Sequence, residues 1–251
     1  MKKTSWGDFA GWYNNLIEKE KNTYQKELIL PNLLRLLTLK KNDVILDIAC
    51  GQGFFAREFA KIGAKTIGVD ISKELIDIGK KKSSSITYYV SSGENMPFLT
   101  NSSIDKITII LSIQNIENAN DVFKECNRVL NPQGKMYLVL NHPAFRIPKV
   151  SMWGWDEDGK IQYRRIDSYL SESRAKIQMH PGSSPNEFSW SFHRPMQFYS
   201  KTLLKNNFCI SRIEEWNSHK KSEPGPRAIA EDRARREIPL FLFIEAKRSS
   251  C

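Results

Sequence analysis

Residues 44–53 read VILDIACGQG, and Asp70 closes the run KTIGVD (65–70), 19 residues after Gly51. The first stretch is a short apolar run that breaks into glycines, and FFAREFAKI after it reads as a helix. A strand passing straight into a helix must turn sharply. Gly51 and Gly53 permit that turn and let a ligand press against the backbone. The helix N-terminus beyond them presents free N–H groups to an anionic ligand group. A carboxylate ending the next strand can hold the two hydroxyls of a ribose. Each residue alone has a plainer reading, as a turn glycine or a helix-capping acid. Together, at strand ends in adjacent units, they point to a nucleoside site.

The alternation continues outward from this stretch. SKELIDIGKKK reads as a helix with Ser72 as its N-cap. ITYYV (86–90) reads as a strand, and KITIILSI (106–113) as a strand buried on both faces. Val122, Phe123, Cys126, Val129 and Leu130 form a helical stripe, NPQG a turn, and KMYLVL (135–140) a further strand. Strands alternating with helices imply a parallel, doubly wound α/β sheet. Upstream, Phe9, Trp12, Tyr13, Leu16 and Ile17 give one helix an apolar face, with Trp12 and Tyr13 open to a plain core reading. A second helix is predicted from about Thr23 to Leu37, with Pro31 as a kink or break.

After Leu140 the rhythm stops. Residues 142–197 hold His142, His180 and His193 and three of the six tryptophans, and a strand pair is predicted around KIQYRRIDSYL and AKIQM. A helix near 197–207 and strands FCISRIEEW and PLFLFIEAK follow. The link at 217–238 carries Lys220, Lys221, Arg227, Arg233, Arg235 and Arg236 and reads as a long basic loop.

At 251 residues, with 40% hydrophobic and 26% charged side chains, the chain has ample core for one large domain. Collagen-like, low-complexity and largely disordered classes are excluded. Cys50, Cys126, Cys209 and Cys251 show no CxxC pairing, which argues against a zinc site or a disulfide framework and suits a reducing cytoplasm, and no metal is expected. MKKTSWGDFAGWYNN lacks the apolar core of a signal peptide, and ITIILSI and LFLFI are too short to span a bilayer, so no membrane role is expected. The net charge is +10: residues 1–141 carry 19 basic against 15 acidic side chains, and residues 142–251 carry 19 against 13. The denser excess falls in the second stretch, which permits a nucleic-acid partner or is a solvated basic surface.

The ordered motifs Asp47, Ala49-Cys50-Gly51-Gln52-Gly53, Asp70 and Ser92-Gly93-Glu94-Asn95-Met96-Pro97-Phe98 resemble those of class I S-adenosylmethionine-dependent methyltransferases, notably the ubiquinone/menaquinone-type and "type 11" branch. The resemblance covers about residues 40–140. A nicotinamide enzyme fits less well, because the third glycine of GxGxxG is replaced by Ala56. The resemblance implies a Rossmann-like, seven-stranded, mainly parallel sheet with helices on both faces. It divides the single domain into a helical cap (1–40), a cofactor core (41–141), a substrate insertion after strand five (142–197), and a final helix and strands (198–251). It further implies S-adenosylmethionine as cofactor. Asp47, Ala49, Gly51 and Gly53 would hold its methionine part, Asp70 its ribose and Ile71 its adenine, with Ser92, Gly93 and Glu94 by the adenine edge. Ser92 stands where the family often has Asp. Ser112 would face the methionine, and Tyr13 would act as a lid.

Parallel sheets bind ligands outside the carboxyl ends of their strands. Gln114 and Asn115 therefore stand at the mouth, and Asn141-His142-Pro143-Ala144-Phe145-Arg146 should reach the site. That segment resembles the Asn/Asp/Ser-Pro-Pro-aromatic motif of exocyclic-amine methyltransferases, with Asn141, Pro143 and Phe145 in its roles, although the family motif follows strand four and has two prolines. His142 and His193 are candidate bases, or else hydrogen-bonded structural histidines. Trp153, Trp155, Tyr163, Arg164 and Arg165 interleave rings with guanidinium groups, a pattern that suits an RNA base and its phosphates, and Arg194 beside His193 is a further candidate substrate contact. The expected activity is methyl transfer to an exocyclic amine of an RNA base, ribosomal cytosine N4 in particular. The alternatives are a small-molecule methyltransferase of quinone or secondary-metabolite type, or a non-catalytic cofactor-binding regulator.

Overall fold

The computed structural model describes residues 5–178 and 188–249; His180, and Met179 at the end of the predicted strand AKIQM, lie outside them. The strands in chain order are β1 (Val44–Ile48), β2 (Lys65–Asp70), β3 (Thr87–Val90), β4 (Ile104–Ile110), β5 (Leu130–Asn141), β6 (Ser151–Asp156), β7 (Ile161–Ile166), β8 (Ser173–Gln178), β9 (Phe188–His193), β10 (Phe208–Trp216) and β11 (Phe241–Arg248). The helices are α1 (Ser5–Asp8), α2 (Ala10–Lys19), α3 (Leu30–Leu37), α4 (Phe54–Lys61), α5 (Lys73–Lys82), α6 (Ala119–Val129), α7 (Met196–Lys205) and α8 (Ala228–Glu237).

Seven strands form one sheet in the order β10-β11-β5-β4-β1-β2-β3. β11 runs antiparallel to both neighbours, and the other pairs are parallel. Side chains alternate across the sheet with period two. Met136, Leu138 and Leu140 of β5 join Leu242 and Ile244 of β11 in a core shared with Val122 and Phe123 of α6 and Leu203 of α7. Tyr137 and Val139 face the opposite way with Phe243, against Leu33 and Leu37 of α3 and Phe55 and Phe59 of α4. Both faces are covered, which explains why β4 and β5 are apolar runs rather than alternating ones.

Four details differ from the sequence reading. The second helix opens as a π segment, Gln25–Ile29, before α3, with Pro31 in the first turn of α3. Proline lacks the N–H of a regular i→i−4 bond, so the turn before it widens. NPQG lies within β5: Ile104 pairs with Leu130 and Lys106 with Lys135, and the extra residues are absorbed as an irregularity. The basic stretch 217–238 holds the ten-residue α8, braced by Asp232–Arg235 (3.2 Å) and Glu231–Arg235 (3.9 Å) spacings.

The insertion folds as two antiparallel hairpins, β6–β7 and β8–β9. The predicted partners KIQYRRIDSYL and AKIQM therefore belong to different hairpins. In the first hairpin Gly154 lies opposite Tyr163, and a Cβ on it would come within 2.3 Å of the tyrosine ring. Among the described residues no helix is long and apolar enough to cross a membrane, and no group of His, Cys, Asp or Glu could hold a metal ion.

Candidate active site

A cavity of about 590 Å³ opens at the carboxyl ends of β1, β2, β4 and β5. Its cofactor-side wall is Tyr13, Ala49, Gly51, Asp70, Ile71 and Ser112. Ala49 (φ +54°), Gly51 (φ +58°) and Gly53 (φ +77°) all take left-handed backbone, so the chain leaves β1 in a tight spiral and enters α4 at Gly53. Gly53 has no room for a side chain, because a Cβ there would lie 2.0 Å from the Tyr88 hydroxyl. Gly53 thus shapes the turn, while Gly51 faces the cavity under the Tyr13 ring, 3.3 Å from where a Cβ would stand.

Asp70 ties the turn to the second strand. Its Oδ2 accepts from the Gly51 N–H and its Oδ1 from the Ser72 N–H, both at 2.8 Å. Each carboxylate oxygen keeps capacity for a further donor. Burial raises the Asp70 pKa against the backbone hydrogen bonds that hold it down. Asp47, beneath the same turn, accepts from Thr108 Oγ1 at 2.8 Å through Oδ1, and its buried Oδ2 has no partner. Burial, together with the nearby Asp70 charge, pushes Asp47 up to about 7 despite the Thr108 hydrogen bond. Ser112 Oγ and Gln114 Oε1 are likewise buried without partners. Orphaned buried acceptors are costly unless a ligand supplies donors. An ammonium and ribose hydroxyls are such donors, so this wall fits the polar groups of S-adenosylmethionine.

The cap reaches the site from above. Tyr13 lines the cavity and meets Trp6 edge to face at 5.8 Å. Burial, then the Asp70 and Asp47 charges, raises the Tyr13 phenol far above its ordinary value, so it acts as a neutral group. Glu18 of α2 joins Arg57 of α4 and Lys82 of α5 at 2.6 Å each, which fastens the cap over the glycine turn. Trp12 is 37% exposed, so it is not core. Gln25, at the start of the π segment, also reaches the cavity.

Other expected residues fall elsewhere. Ser92, Gly93 and Glu94 do not line the cavity: Glu94 N–H caps onto Ser92 Oγ at 3.2 Å, and Gly93 packs against Ile48. Asn141 lines the cavity with Gln114 and Asn115. Pro143 is buried away from it, and Phe145 faces a neighbouring cavity of about 200 Å³. The reason is a local turn: Arg146 N–H bonds to the His142 carbonyl at 2.8 Å, which swings Phe145 behind Asn141 and against the His142 ring at 4.7 Å. The expected amine-binding motif is thereby split between two cavities.

Neither histidine is placed as a base. His142 Nδ1 accepts from the Ala144 N–H at 3.2 Å, so Nε2 carries the proton and donates to Glu215 at 2.7 Å. Burial lowers the His142 pKa against the pull of Glu215. His193 Nε2 donates to the Tyr169 carbonyl at 2.7 Å. Neither lines the main cavity. Arg194 is 5% exposed and donates to the carbonyls of Ile113 (3.2 Å), Ile116 (2.8 Å) and Glu117 (2.6 Å). With three of its five N–H donors it pins the loop that carries Ser112, Gln114 and Asn115. Tyr163 lies over Gly154, and Trp153 stacks with Arg164 at 5.2 Å beside the smaller cavity. Arg227 and Arg235 of the basic stretch pair with Glu157 and Asp232.

Sequence reading missed Trp6, Ile147, Ile177 and Trp190, which form the apolar wall of the main cavity with Ile110 and Ile116. No local pattern marks them, since they come from the cap, the loop after β5 and the β8–β9 hairpin.

The fold, the glycine turn and the two acids define a nucleotide-type methyl-donor site, and the family described as "Methyltransferase domain" (Methyltransf_11) matches residues 46–138. Residues 46–138 thus carry a methyltransferase domain, and the chain has the fold of the class I S-adenosylmethionine-dependent methyltransferases. Among its relatives, the demethylmenaquinone methyltransferase of Lactobacillus johnsonii is 29% identical over 203 residues, covering 76% of this chain and 75% of that protein. That of Chlorobaculum parvum is 31% identical over 127 residues, covering 50% of this chain and about half, 52%, of that protein. An S-adenosylmethionine-dependent methyltransferase from Mesorhizobium loti has the same fold, with a TM-score of 0.69 at 24% identity over 87% of this chain and 96% of that one.

Proposed function

We propose that this chain transfers a methyl group from S-adenosylmethionine to a small molecule bound in the 590 Å³ cavity. One observation carries the reading: a single cavity joins the Gly51–Asp70–Ser112 wall to an apolar wall of Trp6, Ile110, Ile116, Ile147 and Trp190. A cavity of this size, mostly apolar with a few placed polar groups, suits a compact organic substrate. The relatives named for quinone methylation support the same class.

In this reading Asp70 receives the ribose hydroxyls, Ile71 packs on adenine, and Ser112 Oγ on the lining receives the methionine end, with the unpartnered Asp47 Oδ2 behind the lining beneath the turn. Bound S-adenosylmethionine supplies a methyl group activated by a sulfonium. The protein then aligns the nucleophile and excludes water. Trp6, Trp190 and the isoleucines do the excluding. Asn141, which makes no side-chain hydrogen bond to a described residue, is placed to orient the substrate at the end of β5. The described lining holds no histidine, so the favoured nucleophile is one that ionises without an imidazole base.

The RNA-base expectation loses three of its structural supports. Arg194 is held on carbonyls, Tyr163 on its own hairpin, and Phe145 faces away. The test uses methyl-labelled S-adenosylmethionine, the full chain and a cell extract split into low-mass and RNA pools. Label is expected in the low-mass pool. Label confined to RNA would overturn the proposal.

A further inference from the structure

Two arginines of the same insertion have opposite fates. Arg194 gives three of its donors to carbonyls. Arg146, half-buried, makes no side-chain hydrogen bond or ion pair with any described residue; its guanidinium lies over the Phe241 ring at 5.4 Å. A guanidinium carries five N–H donors, and withdrawing them from water without acceptors is costly. Burial lowers the Arg146 pKa, and the neighbouring Arg164 charge adds to that. The nearby Tyr24 phenol opposes both effects, and no carboxylate of the described residues does so.

Arg164 completes the arrangement. Its Nε donates to the Phe145 carbonyl at 2.7 Å, and its Nη2 to the Ser151 carbonyl (3.2 Å) and Oγ (2.8 Å). Those bonds fix the plane of the fork and leave Nη1 uncommitted. Both arginines line the main cavity and the 200 Å³ cavity beside it. Lys149, in left-handed backbone (φ +66°), adds a third cation to the main lining. The one carboxylate on the described lining, Asp70, ends β2, three strand positions from β5, or about 14 Å at normal strand spacing. One end of the cavity is thus cationic and unneutralised.

We infer that the substrate carries an anionic group, a carboxylate or a phosphate, which docks between Arg146 and Arg164 while its apolar body lies against Ile147 and Trp190. The geometry suits it, because a guanidinium fork meets either oxyanion with two parallel hydrogen bonds, and the low-dielectric setting strengthens them. The anion would supply the acceptors that Arg146 lacks and would set which end of the substrate faces the methyl donor. The inference rests on the small-molecule reading above and adds the charge of the substrate to it.

The test measures ligand-induced thermal protection of the full chain preloaded with S-adenosylhomocysteine, using benzoate, phenyl phosphate and neutral benzamide as probes. At least one anion should protect at a concentration tenfold or more below that of benzamide, and which one does so separates carboxylate from phosphate. Arg146→Gln should abolish that preference, and Arg146→Lys should keep part of it, having the charge without the fork. Arg146 makes no side-chain hydrogen bond to lose, so these variants should stay folded, and their S-adenosylhomocysteine binding reports on that. No preference for either anion over benzamide, or a preference unchanged by Arg146→Gln, overturns the inference. Failure of the wild-type chain to bind S-adenosylhomocysteine would instead sink the methyl-transfer reading.

Discussion

The cofactor core and the insertion each set a glycine against a tyrosine ring, with different consequences. Gly53 has φ +77° and lies under Tyr88, which is 6% exposed. Gly154 has ordinary strand backbone and lies under Tyr163, which is 44% exposed. In the core the glycine is demanded twice, by the backbone and by a buried neighbour. In the hairpin it is demanded once, by a ring that can swing into solvent. The core is therefore rigid where the cofactor meets it, and the insertion is free to change with the substrate.

Asp70 should prove the most damaging single change. Asp70→Ala removes the ribose acceptor and the tether on Gly51 and Ser72, and S-adenosylhomocysteine affinity should fall by about a thousandfold, or roughly 4 kcal/mol, in calorimetry. Unchanged binding would remove the nucleoside site from this turn.

Gly53→Ala comes next. Left-handed backbone and the clash with Tyr88 should together cost about 3 kcal/mol in denaturant unfolding. A loss below about 1 kcal/mol would mean that the turn and Tyr88 relax together, and would erase the contrast drawn above.

Asp47 gives a smaller, pH-dependent effect. Its pKa in the fold, about 7, lies above the ordinary aspartate value of 3.8, so between those two pH values the folded protein holds a proton there that the unfolded chain has shed. That stabilising contribution is present at low pH and is lost as pH rises through 7. A cofactor ammonium needs the carboxylate form. S-adenosylhomocysteine affinity should therefore rise about tenfold from pH 6 to pH 8 and be flat in Asp47→Asn. An equal slope in that variant would assign the titration elsewhere.

Gly154→Ala should cost the least, under about 1 kcal/mol, with cofactor affinity unchanged. A drop in cofactor binding would show that the hairpin and the core are coupled.

The same contrast explains what was readable. VILDIACGQG and Asp70 announced the cofactor wall because strand, turn and helix follow one another in the chain, and their chemistry depends on neighbours a few residues apart. Ser92–Glu94 lie off the cavity lining, since a loop motif does not state which way it packs. His142, His193 and Arg194 looked catalytic or substrate-binding by type, yet each spends its polar atoms on partners 24 to 81 residues away, or on a local turn.

The order of strands and helices, the glycine turn, the two acids and the methyl-donor class were determined by the sequence itself. Periodicity and left-handed backbone are local properties that a chain carries wherever it folds. The pairing β6–β7 and β8–β9, the apolar wall of Trp6, Ile147 and Trp190, and the contrast between a satisfied Arg194 and an unsatisfied Arg146 were decided only by tertiary structure. Whether a buried charge is paired depends on which distant carbonyl or carboxylate the fold brings to it, and residue type alone does not say.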